Sequence, residues 1–507
     1  MLILGAVSAL VAGPASAQVG DEPVVTNAVQ VTGNPNPVRA HSSPQIAVNP
    51  DTGELVIVET NVFGDFAVKV HTSTDDGRTW FPGGDPMIKP FTWNSDYAIN
   101  GPYFTMAFDS DAVLYVAFTA TDPAFADRNR SERPRHVFLA RSSDSGRTWE
   151  TTSVFRGTDS NPDNRRPTIA VDPHDSRYVY VGWMQPTGGR IAASNDGGNT
   201  FGEPTPMRTD DRRHYQPRLA VDGKGVVHAV FPSGEFNPTN PIVRPVWYRQ
   251  STDHGRTWSE AVVIEPGSAG FFHNRKHVLA ADPISNNLYF VWYGTTKEVP
   301  TAADDNEIFV RVSSDGGATW SDRITINDDA SRVNTQHYDP GISIAPNGRV
   351  DVAWYDFRNS AEPEKLPVEF AAPFNVGGFN DVYYSSSTDG GRTWSENTRI
   401  SDRLIDRNIG VWSNNVHSHY NVGIASTNDS VYFAWQDSRA GNAVTNAEDV
   451  YFASLKLDPD DILVGASSGT TNAWPLAIAG VMLGMGIAMV LAFLVTRRRP
   501  TPQHIPT

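Results

Sequence analysis

Four histidines stand six residues ahead of a recurring small residue: His41 before Ala47, His214 before Ala220, His337 before Ser343 and His417 before Gly423. One or two places after that register come Arg165 with Arg166, Tyr215, Arg275 with Lys276, Tyr338 with Asp339, and His419 with Tyr420 beside it. Imidazole, guanidinium, phenol and carboxylate bind anions, move protons and attack carbon, so an element that gathers these stretches builds a polar site. A guanidinium fork holds a carboxylate through two charge-assisted hydrogen bonds. Arg218, two residues before Ala220, lies on the same side of its strand and is directed at the same place.

Two further sets invite chemistry. Glu59 fills a strand-end register that other stretches give to Phe118, Trp183, Phe231, Trp292, Trp354 and Trp435. A carboxylate there acts as a base or a hydroxyl acceptor, unless this stretch simply packs differently. Trp354 to Arg358 and Trp435 to Arg439 share the pattern W-x-D-x-R. Asp356 with Arg358, and Asp437 with Arg439, then share a face, as structural ion pairs or as arginines reaching over a pocket.

The elements that must position these groups are strands. The chain of 507 residues holds 41 Gly, 36 Pro, 13 Trp, 16 Tyr and 24 Phe, which suits short strands joined by turns. The pattern S-x-D-x-G-x-T-W runs from Ser73 to Trp80, Ser142 to Trp149, Ser251 to Trp258, Ser313 to Trp320 and Ser387 to Trp394, and a sixth copy, Ser194 to Phe201, ends in Phe. Asp accepts backbone N–H bonds across such a turn, Gly supplies positive φ, and Trp packs between sheets. Ahead of the turns, Ala47, Ala107, Ala170, Ala220, Ala280, Ser343 and Gly423 mark seven first strands crowded around an axis.

The fold class expected is therefore all-β, a seven-bladed propeller. Residues 27–33 read as a fourth strand that completes the last blade and closes the ring. Six blades with an edge appendage is the alternative. The turns occupy one face and the His/Arg/Tyr segments the other. Four imidazoles spread around so wide an axis do not come within about 2.1 Å of one ion, so no metal site is expected. No cofactor is expected either.

The eight-residue boxes resemble the Asp boxes of the sialidase (neuraminidase) superfamily, and the resemblance spans roughly residues 40–455. It implies a glycoside hydrolase that clamps the carboxylate of a sialic acid with arginines and uses a Tyr/Glu nucleophile and an Asp acid/base. Arg165-Arg166-Pro167 is similar to the R-x-P that opens a strand in that family, which makes Arg165 the matching carboxylate-binding residue; Arg275 occupies its register two repeats on. Here the first repeat opens Ser42-Ser43-Pro44-Gln45 instead, and no motif sets a Tyr/Glu pair. Candidate catalytic residues are Glu59, Tyr338 and Asp339. Candidate ligand-binding residues are His41, Arg165, Arg166, His214, Tyr215, Arg218, Arg275, His337, Asp356, Arg358, His417, Tyr420, Asp437 and Arg439.

The ends give an address. Residues 1–17 are apolar and uncharged and close on Ala15-Ser16-Ala17, as a secretory leader does. Residues 18–457 form the propeller and 458–473 an Asp/Gly/Ser/Thr-rich tether. Residues 474–496 read as a transmembrane helix, since the uncharged run from Trp474 to Val495 crosses ~30 Å of hydrocarbon at ~1.5 Å per residue. Arg497 to Arg499 then open a cytoplasmic tail, 497–507, which leaves the N-terminal domain outside the cell. With no Cys, disulfides, thiolate metal sites and cysteine nucleophiles are excluded. The formal charge is −16 although three arginines lie in the tail, so the outer domain repels nucleic acid.

Two functions fit. One is a surface-anchored sialidase-like hydrolase, of the exo-α-sialidase type or a relative, that takes an anionic sugar. The other is a non-catalytic propeller, an adhesin or receptor for a glycan, glycoconjugate or surface protein.

Overall fold

The computed structural model describes residues 24–33, 35–37, 39–61, 67–87, 91–93, 104–125, 134–158, 163–207, 216–233, 244–268, 277–294, 306–329, 336–360, 378–410 and 422–457. The expected leader, tether, membrane span and tail lie outside these residues. Among the described residues no helix is long and apolar enough to cross a membrane.

Seven antiparallel sheets follow one another along the chain. Their first strands are His41–Val48, Phe104–Phe108, Arg165–Val171, Arg218–Val221, Val278–Ala281, His337–Ile344 and Gly423–Ser426. Each first strand touches those of the two neighbouring blades, and the cycle closes from Gly423–Ser426 back to His41–Val48. The chain thus forms a seven-bladed β-propeller. Small residues line this inner ring because the strands crowd there. A Cβ added to Gly423 would meet the Pro44 carbonyl oxygen at 2.8 Å, so blades seven and one close over a glycine.

The ring is locked by its N-terminus. Blade seven has three strands of its own, Gly423–Ser426, Ser430–Asp437 and Asp449–Lys456, and residues near the start of the chain add the outer edge. Val24 pairs with Lys456, Val25 with Leu455, Val29 with Phe452 and Gln30 with Tyr451. Thr26 N–H donates to the Ser454 carbonyl and Val31 N–H to that of Val450, both at 2.8 Å. The Arg39 guanidinium holds both oxygens of buried Asp449 at 2.7 and 2.6 Å. An edge that would otherwise expose unpaired N–H and C=O groups is covered.

Seven apolar layers fill the seven gaps between blades. Phe118, Trp183, Phe231, Trp354 and Trp435, at the expected second-strand register, are buried in them. Burying each such side chain stabilises by roughly 1.5–3 kcal/mol, so the layers, not the short outer strands, carry most of the fold.

The eight-residue turns join third to fourth strands. In the first, Thr79 N–H and Oγ1 donate to Asp75 Oδ1 and Oδ2 at 2.9 and 2.6 Å, and Gly77 N–H donates to Ser73 Oγ at 2.9 Å. The same bonds recur at Asp144, Asp196, Asp253, Asp315 and Asp389. Hydrogen bonds from Thr79 hold the Asp75 carboxyl down to about 2. Gly77 sits at φ 81°, and a Cβ there would strike the Phe452 ring at 2.1 Å. Trp80 meets that ring edge-on at 5.2 Å, which docks the blade-one turn on blade seven. The Asp carboxylates are thus consumed by the turns.

Candidate functional site

Ser73 pairs with Leu55, and Leu55 with Val48, so the turns lie at the end of the ring where first strands finish. First strands begin at the opposite end, and there an axial cavity of about 260 Å³ opens. Residues from all seven blades line it: Ser43 and Gln45, Thr105, Arg166, Gln216 with Arg218, Val278, Gly341, and Gly423.

The backbone explains how side chains reach this cavity. Ser43, Arg166 and Asp339 have φ of 60°, 53° and 58°, and each precedes a proline. Strand pairing slips at the same three places, between Ser42 and Gln45, Arg165 and Thr168, and Tyr338 and Gly341. Left-handed φ at a non-glycine costs about 1–3 kcal/mol, and residues before proline ordinarily adopt extended conformations. A bulge of this kind re-aims the side chain beside it. At Arg166 the result is a guanidinium in the cavity wall, while Arg165 turns to Asp163, which Arg135 also engages.

Arg218 faces the same cavity. Burial, and then the charge of Arg166, hold its guanidinium down to about 10. Gln45 ties blade one to blade two, its Nε2 donating to the Phe104 carbonyl at 3.0 Å and its Oε1 accepting from Met106 N–H at 3.1 Å. The floor is apolar, with Ile46, Met106, Val278, Ile342 and Ile424. Among the described residues the lining holds two guanidinia, amides and hydroxyls and no carboxylate. Such a wall can receive an anion that also carries hydroxyl groups, and among the described lining residues none is set to take or give a proton.

The three candidate catalytic residues lie elsewhere and apart. Glu59 is fully buried in blade one, where its Oε1 meets His41 Nδ1 at 2.9 Å and His71 Nε2 at 3.3 Å. Burial alone would raise its carboxyl, but the charge and hydrogen bond of His41, then those of His71, lower it. Tyr338 packs partly buried between blades five and six, edge-on to Tyr293 and Phe357 at 5.2 and 6.0 Å, and its hydroxyl donates to Gln336 Oε1 at 2.8 Å. Burial drives its phenol well above the usual range, the opposite of an activated nucleophile. Asp339 is buried, and its carbonyl accepts from Val422 N–H at 3.1 Å across the gap to blade seven.

The histidine register works as a latch between blades. His41 N–H donates to the Glu448 carbonyl at 3.0 Å, and His337 Nδ1 meets the carbonyl of Asn306. In blade three the same place is Asn164, whose Nδ2 donates to the Arg135 carbonyl at 2.8 Å while its Oδ1 accepts from Trp183 Nε1. Each ties a first strand to the opening of the third strand in the preceding blade. Burial would lower His337, but Asp356 and Asp329 push it up to about 10.

The two W-x-D-x-R segments have one geometry. Asp356 Oδ2 accepts from Trp354 Nε1 at 2.9 Å and pairs with Arg358 at 2.9 Å, and Arg358 covers the Tyr383 ring at 4.2 Å. Asp437 Oδ2 accepts from Trp435 Nε1 at 3.1 Å and pairs with Arg439 at 2.7 Å, and Arg439 covers Tyr451 at 4.2 Å. These arginines lie along their own blades and are absent from the cavity lining. His214, Tyr215, Arg275, His417 and Tyr420 lie outside the described residues. Sequence reasoning passed over Gln45, Gln216, Thr105 and His71. The repeated X-Pro at Ser43-Pro44, Arg166-Pro167, Gln216-Pro217 and Asp339-Pro340 is the signal that finds the cavity wall.

No family model and no curated protein matches this sequence. Solved structures similar to it include an α-L-arabinanase of Penicillium chrysogenum complexed with arabinobiose, 14% identical over 66% of this chain and 94% of that one, TM-score 0.43. A Hadza microbial sialidase is 18% identical over 62% of this chain and 63% of the other, TM-score 0.37. The endosialidase of phage phi92 is 13% identical over 85% of this chain and 69% of its own, TM-score 0.46.

Proposed function

We propose that this protein is a cell-surface propeller of sialidase-like type that binds an anionic sugar, free or in a glycoconjugate, in its axial cavity. The observation that carries the reading is the pair Arg166 and Arg218 in the wall of one axial cavity. In this reading the guanidinia take the carboxylate of the sugar, Gln45 and Gln216 take its hydroxyls, and the apolar floor takes its ring. In this reading residues 1–17 serve as a secretory leader and the apolar run 474–495 as a membrane anchor, which supports a place outside the cell.

Glycoside hydrolysis is the second reading, favoured by Arg165-Arg166-Pro167, which is similar to R-x-P, and by the eight-residue turns that resemble Asp boxes. The full-length chain, incubated with a fluorogenic sialoside and with other aryl glycosides, separates the two. Turnover abolished by Arg218→Gln establishes the hydrolase. Binding of N-acetylneuraminate or glucuronate without turnover establishes the binding protein, and neither binding nor turnover overturns both.

A further inference from the structure

A second polar cluster lies between blades five and six, apart from the axial cavity. Glu307 opens the third strand of blade five, Glu307–Ser313, and Asp329 follows the fourth, Ile324–Thr325. His337 opens blade six. One ligand atom from each lies within 4.8 Å of the other two. Asp356 joins them, with its Oδ2 at 3.3 Å from His337 Nε2, while Asp329 Oδ1 is 3.0 Å from the same nitrogen.

We propose that Glu307, Asp329 and His337, with Asp356 beside them, form a binding site for a divalent transition-metal ion of the zinc type that staples blade five to blade six. The first argument is the imidazole. His337 is buried, and its Nδ1 faces the Asn306 carbonyl, which only accepts; Nδ1 therefore carries the hydrogen. That leaves Nε2 aimed at two carboxylates with no aligned hydrogen-bond partner. Two carboxylates facing one ring nitrogen call for positive charge between them: a proton on Nε2 supplies it in the metal-free protein, and a metal ion that takes the proton's place gains the nitrogen and the carboxylates as ligands. An Nδ1–H bound to a carbonyl is also the outer support that ligating histidines use.

The second argument is spacing. Two donors each about 2.1 Å from an ion, at angles near 90–110°, stand about 3.0–3.4 Å apart. The oxygen-to-Nε2 separations of 3.0 and 3.3 Å fall in that interval while missing the alignment of a hydrogen bond.

Charge and support agree. Asp329 and Asp356 share the guanidinium of Arg358, which also reaches Asp328 at 2.8 Å, so that with Glu307 the cluster keeps a surplus of negative charge. Asn327 Nδ2 donates to Glu307 Oε2 and, at 2.9 Å, to Asp329 Oδ1, while its Oδ1 accepts from Ile308 N–H at 2.9 Å. That amide holds the two carboxylates in place. An imidazole nitrogen among carboxylates suits zinc or manganese better than calcium or magnesium, which prefer all-oxygen shells.

The site does not depend on the sugar-binding reading and is tested without it. The full-length chain is stripped with a chelator and dialysed, then titrated with Zn²⁺ while its melting temperature and retained metal are measured. One equivalent of zinc retained after gel filtration, with a rise in Tm, is expected. Glu307→Gln and Asp329→Asn, measured separately, each weaken zinc binding at least tenfold. If either variant folds poorly, the other variant and the wild-type titration decide. Zinc retention unchanged in the variants overturns the assignment, as does no retention with no shift in Tm, which leaves a proton on Nε2. A response to Ca²⁺ or Mg²⁺ but not Zn²⁺ overturns the metal class.

Discussion

Arg166 and Arg218 face one axial cavity, and the charge of Arg166 adds to burial in holding Arg218 down to about 10. Two cations kept close in a partly dry space favour whatever anion enters between them. The sign of the pH effect follows. Arg218 keeps its proton at neutral pH and loses it as pH rises through about 10, well below the usual guanidinium range. Below that value its burial costs stability, and a bound anion offsets the cost. Anion affinity measured from pH 7 to 10.5 should hold steady to about pH 9 and then decline.

Glu59 is predicted to be a stability residue. Glu59→Gln leaves His41 and His71 facing a neutral amide and should destabilise by about 3–5 kcal/mol, as loss of one partner from a buried ion pair does. The folded carboxyl is lowered from 4.5, so its contribution is present above 4.5 and lost as pH falls through the lowered value. Burial lowers His41, but the charge and hydrogen bond of Glu59 together with the charge of Asp449 raise it above 6.5, so its contribution is complete below 6.5 and fades as pH rises through the raised value. The difference in melting temperature between wild type and variant should be greatest between pH 4.5 and 6.5.

The N-terminal strand is predicted to be the clasp of the ring. Deleting residues 24–33 uncovers the edge of Asp449–Lys456 and removes the Val24, Val25, Val29 and Gln30 pairings. We expect a loss of at least several kcal/mol, together with self-association through the bared edge, visible by light scattering. A truncated chain that stays monomeric with unchanged Tm would show that the clasp is dispensable.

The eight-residue turns are predicted to be structural. Asp144 is held down to about 2, chiefly by Ser142 and Thr148 against the opposing effect of burial, and it lies at the far end of the ring from the cavity. Asp144→Ala should lower Tm by about 1–3 °C and leave anion affinity within twofold. A large fall in affinity would mean that the two ends of the propeller are coupled.

Much of the fold was legible because it is repetitive. The seven small first-strand residues mark a steric demand that recurs in every blade, the second-strand aromatics one that recurs in six, and residues 27–33 advertised the clasp by resembling other fourth strands. The site was less legible because alternation along a strand assigns faces only while the pleat is regular. Bulges at Ser43, Arg166 and Asp339 shift that alternation, which is why Arg166 lines the cavity while Arg165 pairs with Asp163. The histidines stood out by register, but sequence spacing does not reveal that His41 and His337 reach back to the preceding blade. Glu59 was singled out by its odd register, whereas His71, its second partner, had no repeat to mark it.

Calorimetric titration of N-acetylneuraminate or glucuronate into the full-length chain tests the axial cavity most directly. Wild type should bind one equivalent, Arg166→Gln and Arg218→Gln should each bind about 10–100-fold more weakly, and Arg439→Gln should bind as wild type does. Equal affinity in all four proteins would place the anion outside the ring of first strands and contradict the account.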